Sequence, residues 1–247
     1  MGRWLRRFRV IPVIGGAVVL LVLLGAALAA RQSALGLVDS SSEQFRPAPM
    51  TTPLPLRRVA VFGDSYAVGT GASTTEQGFV RRLAVLERWR IDDEAHGGTG
   101  YATAGTTGVA GCDTSSCPTF SGALSDAPDN APDAVLVFGG RNDVGRSTAN
   151  LQKAIPTFYD ALCAKYPDAD VYAVSPVWDS RTPPSQLVTI QNLVRGAVST
   201  CSRGRYLDIG EPLRGKSGLI VSDGVHPNDE GHAVLARAVV TALDGAR

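Results

Sequence analysis

The sequence predicts an α/β domain in which helices cover both faces of a parallel β-sheet, as a three-layer α/β/α sandwich. From residue 58 onward, short apolar runs alternate with longer amphipathic segments, which is typical of parallel strands joined by crossover helices. The apolar runs are continuous, without the alternation of polar residues that marks a strand with one face in water. We therefore expect most strands to be buried on both faces.

Each element has its own pattern. Strands are expected at Arg58–Phe62, near Arg90–Ala95, and at Ala134–Phe138, Val171–Ser175 and Arg205–Ile209. A helix after the first strand carries Phe79, Val80, Leu83, Leu86 and Trp89 on its apolar face. Further helices are expected over Ala149–Lys165 and Gln186–Ser199, and a last helix ends at about Leu243. Pro156 is expected to disturb the middle of its helix. Asn228 is expected to cap the last helix, and residues 104–132 are interpreted as turn-rich.

The N-terminal segment differs from the rest of the chain. Four arginines between Arg3 and Arg9 precede an uncharged run from Val10 to Ala30, a pattern typical of export. A helix of this run would measure roughly 31 Å, enough to span a bilayer core. Ala27-Leu28-Ala29 offers a cleavage site, so a removable signal peptide and a retained anchor both remain open. The length of the run favours the anchor.

Residues 31–57 are rich in serine and proline and lack hydrophobic periodicity, which indicates an extended tether. The predicted organisation is therefore a signal anchor or signal peptide over 1–30, a tether over 31–57 and a folded domain over 58–247. The expected location is the cell membrane, single-pass with an extracytoplasmic domain, or secretion if the segment is cleaved. The oligomeric state is left open.

The charge and the cysteines of the chain bear on its partners and on the compartment in which it folds. The formal net charge is +1 with no basic stripe, so no nucleic-acid partner is expected. The four cysteines indicate disulfides in an oxidising compartment, with Cys112 bonded to Cys117 and Cys163 to Cys201. Zinc is the alternative, but no C-x-x-C pair supports it.

Four short motifs follow one another along the chain. They are Gly63-Asp64-Ser65, Gly97-Gly98-Thr99-Gly100, Gly140-Arg141-Asn142-Asp143 and Asp223-Gly224-Val225-His226. The first three come where predicted strands end, and ligands bind outside the carboxyl ends of parallel strands. Together they supply a serine, a histidine with an acidic neighbour and two kinds of hydrogen-bond donor, which are what acyl transfer requires.

In kind and order these motifs resemble those of the SGNH, or GDSL, hydrolase superfamily, over roughly Val59 to Leu243. Tyr66 stands where the name-giving leucine would be. The resemblance implies a flavodoxin-like sheet, the SGNH hydrolase fold, and a serine esterase activity. The implied substrates are small acyl esters, including acetyl groups on carbohydrates, or lipid esters.

The motifs also predict individual roles. Ser65 is the expected nucleophile, His226 its general base and Asp223 the carboxylate that orients the base. The alternative for Ser65 is a simple helix cap. We expect Asp64 to be a loop-orienting acceptor.

The predicted oxyanion hole combines the N–H of Ser65, a glycine N–H and the Asn142 side-chain amide. Gly98 and Gly100 are both candidates, with Gly98 preferred. The alternative for Asn142 is an Asx-turn that ends the strand. Asp143 is expected to bond loop backbone.

The other two histidines are given no catalytic role. His96 is interpreted as a loop residue, and His232 as a surface residue of the last helix. The six-residue separation of His226 and His232 does not suit two ligands on one helix face, so no metal site is expected. No cofactor is expected either.

The sequence therefore predicts an extracytoplasmic serine esterase that hydrolyses short acyl or acetyl esters, with glycan esters among the substrates. One alternative is acyl transfer to a sugar hydroxyl by the same site. Another is a catalytically silent glycan-binding surface protein.

Overall fold

The structure, a computed structural model, describes residues 55–106, 112 and 116–246. The strands are β1 (Arg57–Gly63), β2 (Trp89–Asp93), β3 (Gly105–Thr106), β4 (Ser116–Cys117), β5 (Ala134–Phe138), β6 (Asp170–Val174) and β7 (Gly204–Leu207). The helices are α1 (Ser65–Val68), α2 (Phe79–Leu86), α3 (Phe120–Asp126), α4 (Thr148–Lys165), α5 (Gln186–Val198) and α6 (Asp229–Ala246).

Five parallel strands form the main sheet in the order β2-β1-β5-β6-β7. The order reverses after β2, which is the flavodoxin-like arrangement, and the predicted fold is confirmed. β1 lies inside the sheet, with Val59 opposite Ile91 on one side and Ala134 on the other. The switch point therefore lies beside the end of β1, where Ser65 follows. Strands β3 and β4 form a separate antiparallel pair.

Helices cover both faces of this sheet. On one face α3, α4 and α5 contribute Phe120, Leu151, Ile155 and Ile190 to a core with alternate strand residues such as Phe62 and Val137. On the other face α2 and α6 contribute Phe79, Leu83, Leu235 and Val239, which pack with Val61, Leu136 and Phe138. All five residues of β5 are buried, because a strand between two helical layers has no solvent face.

Three elements differ from expectation. Helix α3 lies within the segment interpreted as turn-rich, where the Thr119 hydroxyl caps it by accepting from the N–H of Gly122. Trp89 begins strand β2, opposite Arg57, because α2 ends at Leu86. Helix α4 runs unbroken through Pro156, since apolar residues on both sides of the proline pack into the core.

Both predicted disulfides are present. Cys112 is bonded to Cys117 and Cys163 to Cys201, with Cα–Cα distances of 5.6 and 5.8 Å. Cys163 lies in α4, and Cys201 lies just beyond the end of α5.

The described residues include no helix long and apolar enough to cross a membrane. The predicted anchor at 1–30 and most of the tether at 31–57 lie outside the described residues.

Candidate active site

Ser65 is the first residue of α1, immediately beyond the carboxyl end of β1. Asp64, not Ser65, caps this helix, since its carboxylate accepts from the N–H of Tyr66 at 3.0 Å. The turn needs glycine at position 63, because a Cβ there would lie 2.5 Å from the Ala67 Cβ and 2.7 Å from the Phe138 carbonyl oxygen. Burial raises the pKa of Asp64 to about 7, although hydrogen bonding and Arg141 oppose the shift.

The structure brings Ser65, His226 and Asp223 into one hydrogen-bonded line. The Ser65 hydroxyl oxygen lies 2.9 Å from His226 Nε2, and His226 Nδ1 lies 2.6 Å from the Asp223 carboxylate. A carboxylate accepts only, so Nδ1 donates to Asp223 and Nε2 is free to accept the serine proton. Asp223, His226 and Ser65 thus have the geometry of an acyl-transfer triad.

The His226 loop is shaped by Asp223 itself. The second oxygen of this carboxylate accepts from the N–H groups of Val225 and His226 at 2.8 and 2.9 Å. Burial would raise the pKa of Asp223, but the bonds from the His226 ring and these backbone groups outweigh it and lower the pKa. The carboxylate is therefore ionised at neutral pH, as stabilisation of an imidazolium requires.

Tyr66 also makes a hydrogen bond to the loop that carries His226. It is 1% exposed, and its hydroxyl donates to the Val225 carbonyl at 2.6 Å. A leucine at this position would lack that hydroxyl, so the departure from the name-giving motif adds a bond between helix α1 and the loop that carries His226.

The glycine cluster after β2 contains two candidate oxyanion donors, and they differ in availability. The N–H of Gly100 is already bonded to the Thr103 carbonyl at 2.8 Å. A Cβ on Gly100 would overlap the Asp143 carboxylate, which explains the glycine on steric grounds. Gly98 has a φ of +72°, and within the described residues its N–H has no hydrogen-bond partner. The geometry favours Gly98 as the donor.

Asn142 and Asp143 follow β5. Asn142 donates one amide hydrogen to the Thr99 carbonyl at 2.9 Å, which orients the side chain, and among the described residues its second hydrogen has no acceptor. Asp143 is 0% exposed and accepts from the N–H groups of Tyr101 and Ala102 at 2.8 and 2.9 Å, and from the Thr103 hydroxyl at 2.9 Å. Asp143 therefore joins the Asn142 loop to the glycine loop.

Comparison with known proteins places this site in a family. The model of the GDSL-like Lipase/Acylhydrolase family matches residues 61–234, which include Ser65, Asn142 and His226. The chain belongs to the GDSL-like lipase/acylhydrolase family. It is 30% identical over 209 residues to a GDSL lipase of Mycobacterium tuberculosis, covering 79% of this chain and 85% of the relative.

Solved structures show the same fold at lower identity. The psychrotrophic esterase EstA from Pseudoalteromonas sp. superposes with a TM-score of 0.54 at 17% identity, covering 76% of this chain and 97% of that one. A family two carbohydrate esterase from Clostridium thermocellum, in complex with cellohexaose, gives a TM-score of 0.56 at 17% identity, covering 78% of this chain and 66% of that one. These structures support the SGNH fold, and the family match identifies the protein as a serine esterase of the GDSL type.

Three residues beside the site of this GDSL-like esterase were missed from the sequence. The Arg141 guanidinium lies 3.9 Å from the Trp178 ring centroid and 5.9 Å from that of Tyr66, and it pairs with Asp179 at 2.9 Å. Burial would raise the pKa of Asp179, but bonds from Arg181 and Arg141 lower it to about 2. Trp178 and Asp179 follow β6 while Arg141 follows β5, so no local sequence pattern signals this contact.

The interpretation of His232 as a surface residue of the GDSL-like domain is wrong. The side chain is 0% exposed, and both ring nitrogens make hydrogen bonds to backbone groups of Thr70 and Phe79. Helical position alone did not reveal this, because the covering segments come from residues 69–79. His96 lies in the glycine loop, where its carbonyl accepts from the Thr99 hydroxyl at 2.7 Å, in line with the expected loop role.

Proposed function

We propose that this protein is an extracytoplasmic esterase that removes short acyl groups, acetyl above all, from glycans through a Ser65–His226–Asp223 triad. The observation that carries the proposal is the continuous hydrogen-bonded line from the Ser65 hydroxyl through His226 to Asp223, at 2.9 and 2.6 Å. Distances of this kind allow a base to take the nucleophile's proton as it attacks.

The proposed reaction proceeds through an acyl-enzyme. Ser65 Oγ attacks the ester carbonyl carbon while its proton passes to His226 Nε2, and Asp223 stabilises the imidazolium that forms. The C–O bond to the alcohol then breaks, and His226 returns the proton to the departing oxygen. Water, deprotonated by the same histidine, attacks the acyl-enzyme and releases the acid and Ser65.

The developing oxyanion requires donors that are already in place. We assign these to the N–H of Ser65, the N–H of Gly98 and the free amide hydrogen of Asn142. The N–H of Ser65 is among the first of α1, where helical N–H groups lack an intrahelical acceptor. The bond from Asn142 to Thr99 holds the amide beside the glycine loop.

The substrate class and the location rest on other support. Structural neighbours include carbohydrate esterases, one of them in complex with cellohexaose, which supports a glycan ester as substrate. The arginine cluster before the apolar run 10–30 and the two disulfides support an extracytoplasmic site of action.

A fluorophosphonate probe tests the nucleophile. The wild-type protein should become labelled at Ser65, whereas Ser65→Ala should remain unlabelled and lose hydrolysis of 4-nitrophenyl acetate. Labelling that persists in Ser65→Ala would refute the assignment.

The substrate is tested with 4-nitrophenyl esters from acetyl to palmitoyl and with acetylated polysaccharides. We expect kcat/KM to be highest for acetyl and release of acetate from the polysaccharide. A maximum at palmitoyl would refute the short-acyl proposal. An acetylated sugar acceptor forming in place of acetate would show transfer rather than hydrolysis.

A further inference from the structure

We propose that His232 is a positioning residue for catalysis, because its imidazole fixes the loop Gly69–Ser73 that lies against both Ser65 and His226. The inference rests on the proposed function, since it assigns a role in the same site. His232 has no direct part in the proton transfers described above.

The hydrogen bonds of His232 define a single tautomer. Nε2 lies 3.1 Å from the Thr70 carbonyl oxygen, which can only accept, so Nε2 carries the hydrogen. Nδ1 accepts from the backbone N–H of Phe79 at 3.3 Å and therefore carries none. The ring is neutral, and it joins α6 to the loop on one side and to the start of α2 on the other.

The loop held by His232 contacts both catalytic residues. The N–H of Thr70 donates to the Ser65 carbonyl at 2.9 Å. Gly71, with a φ of +92°, lies so close to the histidine loop that a Cβ would overlap the Pro227 carbonyl oxygen and lie 3.0 Å from His226 Cβ. A shift of Thr70 and Gly71 would therefore change the distance between the Ser65 hydroxyl and the His226 ring.

A second clamp holds the other end of this loop. The N–H and hydroxyl of Ser73 donate to the Asp229 carboxylate at 2.7 and 2.6 Å. Asp229 is the first residue of α6, three positions beyond His226. The loop is thus fixed to α6 at Thr70 by His232 and at Ser73 by Asp229.

The charges around His232 leave it neutral. Asp229 and the bond to Thr70 favour protonation, whereas Arg82 and His226 oppose it. Burial is the largest effect and lowers the pKa of His232, so the neutral ring persists at neutral pH. A proton on Nδ1 would face the N–H of Phe79, and the two donors would repel each other.

Two substitutions in the full-length protein separate positioning from packing. In His232→Gln the amide nitrogen can replace Nε2 and keep the bond to Thr70. In His232→Asn the shorter side chain can replace only Nδ1, so the bond to Thr70 is lost. Both remove the ring from the same buried site, but asparagine is one methylene shorter, so the stability of each variant is measured by urea unfolding beside its kcat.

We expect kcat per folded molecule in His232→Gln to stay within about threefold of wild type. In His232→Asn it should fall by about 10–100-fold with little change in KM, because misplacing catalytic groups slows the chemical step more than it weakens binding. The rate of fluorophosphonate labelling at Ser65 should fall in parallel. If both variants lose stability but share the wild-type kcat, or lose kcat equally, the positioning role is refuted.

Asp229→Ala decides the question if His232→Asn does not fold. The Asp229 carboxylate accepts both Ser73 bonds at an exposed site, so its removal releases this end of the loop without opening the core. A fall in kcat of about threefold or more at unchanged stability would support the loop's role, and an unchanged kcat would refute it. A wild-type protein that is not labelled at Ser65 would instead refute the proposed function itself.

Discussion

The two halves of the site are built in opposite ways. Ser65 and Asn142 follow buried strands and are supported by Asp64 and Asp143, which are 1% and 0% exposed. We call these four residues the strand half. His226 is supported by Asp223, whose side chain is 45% exposed, and these two residues form the loop half. Burial raises the pKa of the two strand-half supports, whereas the pKa of Asp223 is lowered.

The two kinds of support are expected to matter for different properties, the buried ones for stability and the exposed one for activity. Asp143 uses its oxygens on two backbone N–H groups and a buried hydroxyl, so the fold depends on it. Asp223 uses one oxygen on the His226 ring, and its side chain is partly exposed, so water can replace its other bonds. We therefore expect substitution of the buried support Asp143 to destabilise the protein and substitution of the exposed support Asp223 to inactivate it.

The largest effect is expected at Asp223. Asp223→Ala should lower kcat by about 10³–10⁴-fold, because the imidazolium loses its partner and the ring its orientation. The free energy of unfolding should change by less than about 1 kcal/mol, as is usual for exposed positions. Ester hydrolysis and urea unfolding measure the two quantities. A variant that keeps a tenth of the wild-type kcat would remove Asp223 from the triad.

Asp143→Ala should lower the free energy of unfolding far more than Asp223→Ala does. The N–H groups of Tyr101 and Ala102 would lose their acceptor in the interior, while the Thr103 hydroxyl would keep only the Asn142 carbonyl, and we expect destabilisation of about 2–5 kcal/mol. The urea midpoint should fall with the slope of the transition unchanged. Asp223→Ala serves as the matched control. If both variants unfold at the same urea concentration, the contrast between the two halves is wrong.

The smallest effect is a pH dependence at Asp64. Its pKa is raised in the folded protein, to about 7 from the usual 3.8. Between about pH 4 and 7 the unfolded chain therefore loses this proton while the folded protein keeps it, so the Asp64 contribution to stability falls as pH rises.

Asp64→Asn retains a side-chain acceptor for the helix cap and removes the titration. Its urea midpoint relative to wild type should therefore be higher at pH 8 than at pH 5. A constant difference between the variant and wild type across this range would show that Asp64 does not titrate as described.

Much of the fold followed from local pattern. Ala134–Phe138 was predicted with its observed bounds, because a fully buried strand leaves an uninterrupted apolar run. Trp89 was misplaced because its spacing also fits the apolar face of α2, and only pairing with Arg57 assigns it to β2. Helix α3 was missed because seven residues are too few for periodicity to emerge from a turn-rich segment.

The site was predictable where one motif carries one role. Ser65, Asn142 and His226 each come from a short local signature, and the structure brings all three to one edge of the sheet. The contacts of Arg141 with Trp178 and of His232 with Thr70 were not predictable, because each joins segments far apart in sequence. Burial of a polar side chain depends on which distant segment covers it.

The position of β1 also sets the order of events during synthesis. Its two neighbours in the sheet are β2 and β5, and the bond from the Arg58 N–H to Asp133 joins residues 75 positions apart. At ribosomal rates those residues take about 4–15 s to appear, during which one edge of this apolar strand has no partner. Long-range pairing of this kind also slows folding itself. We therefore expect the nascent chain to be prone to aggregation between the emergence of β1 and that of β5.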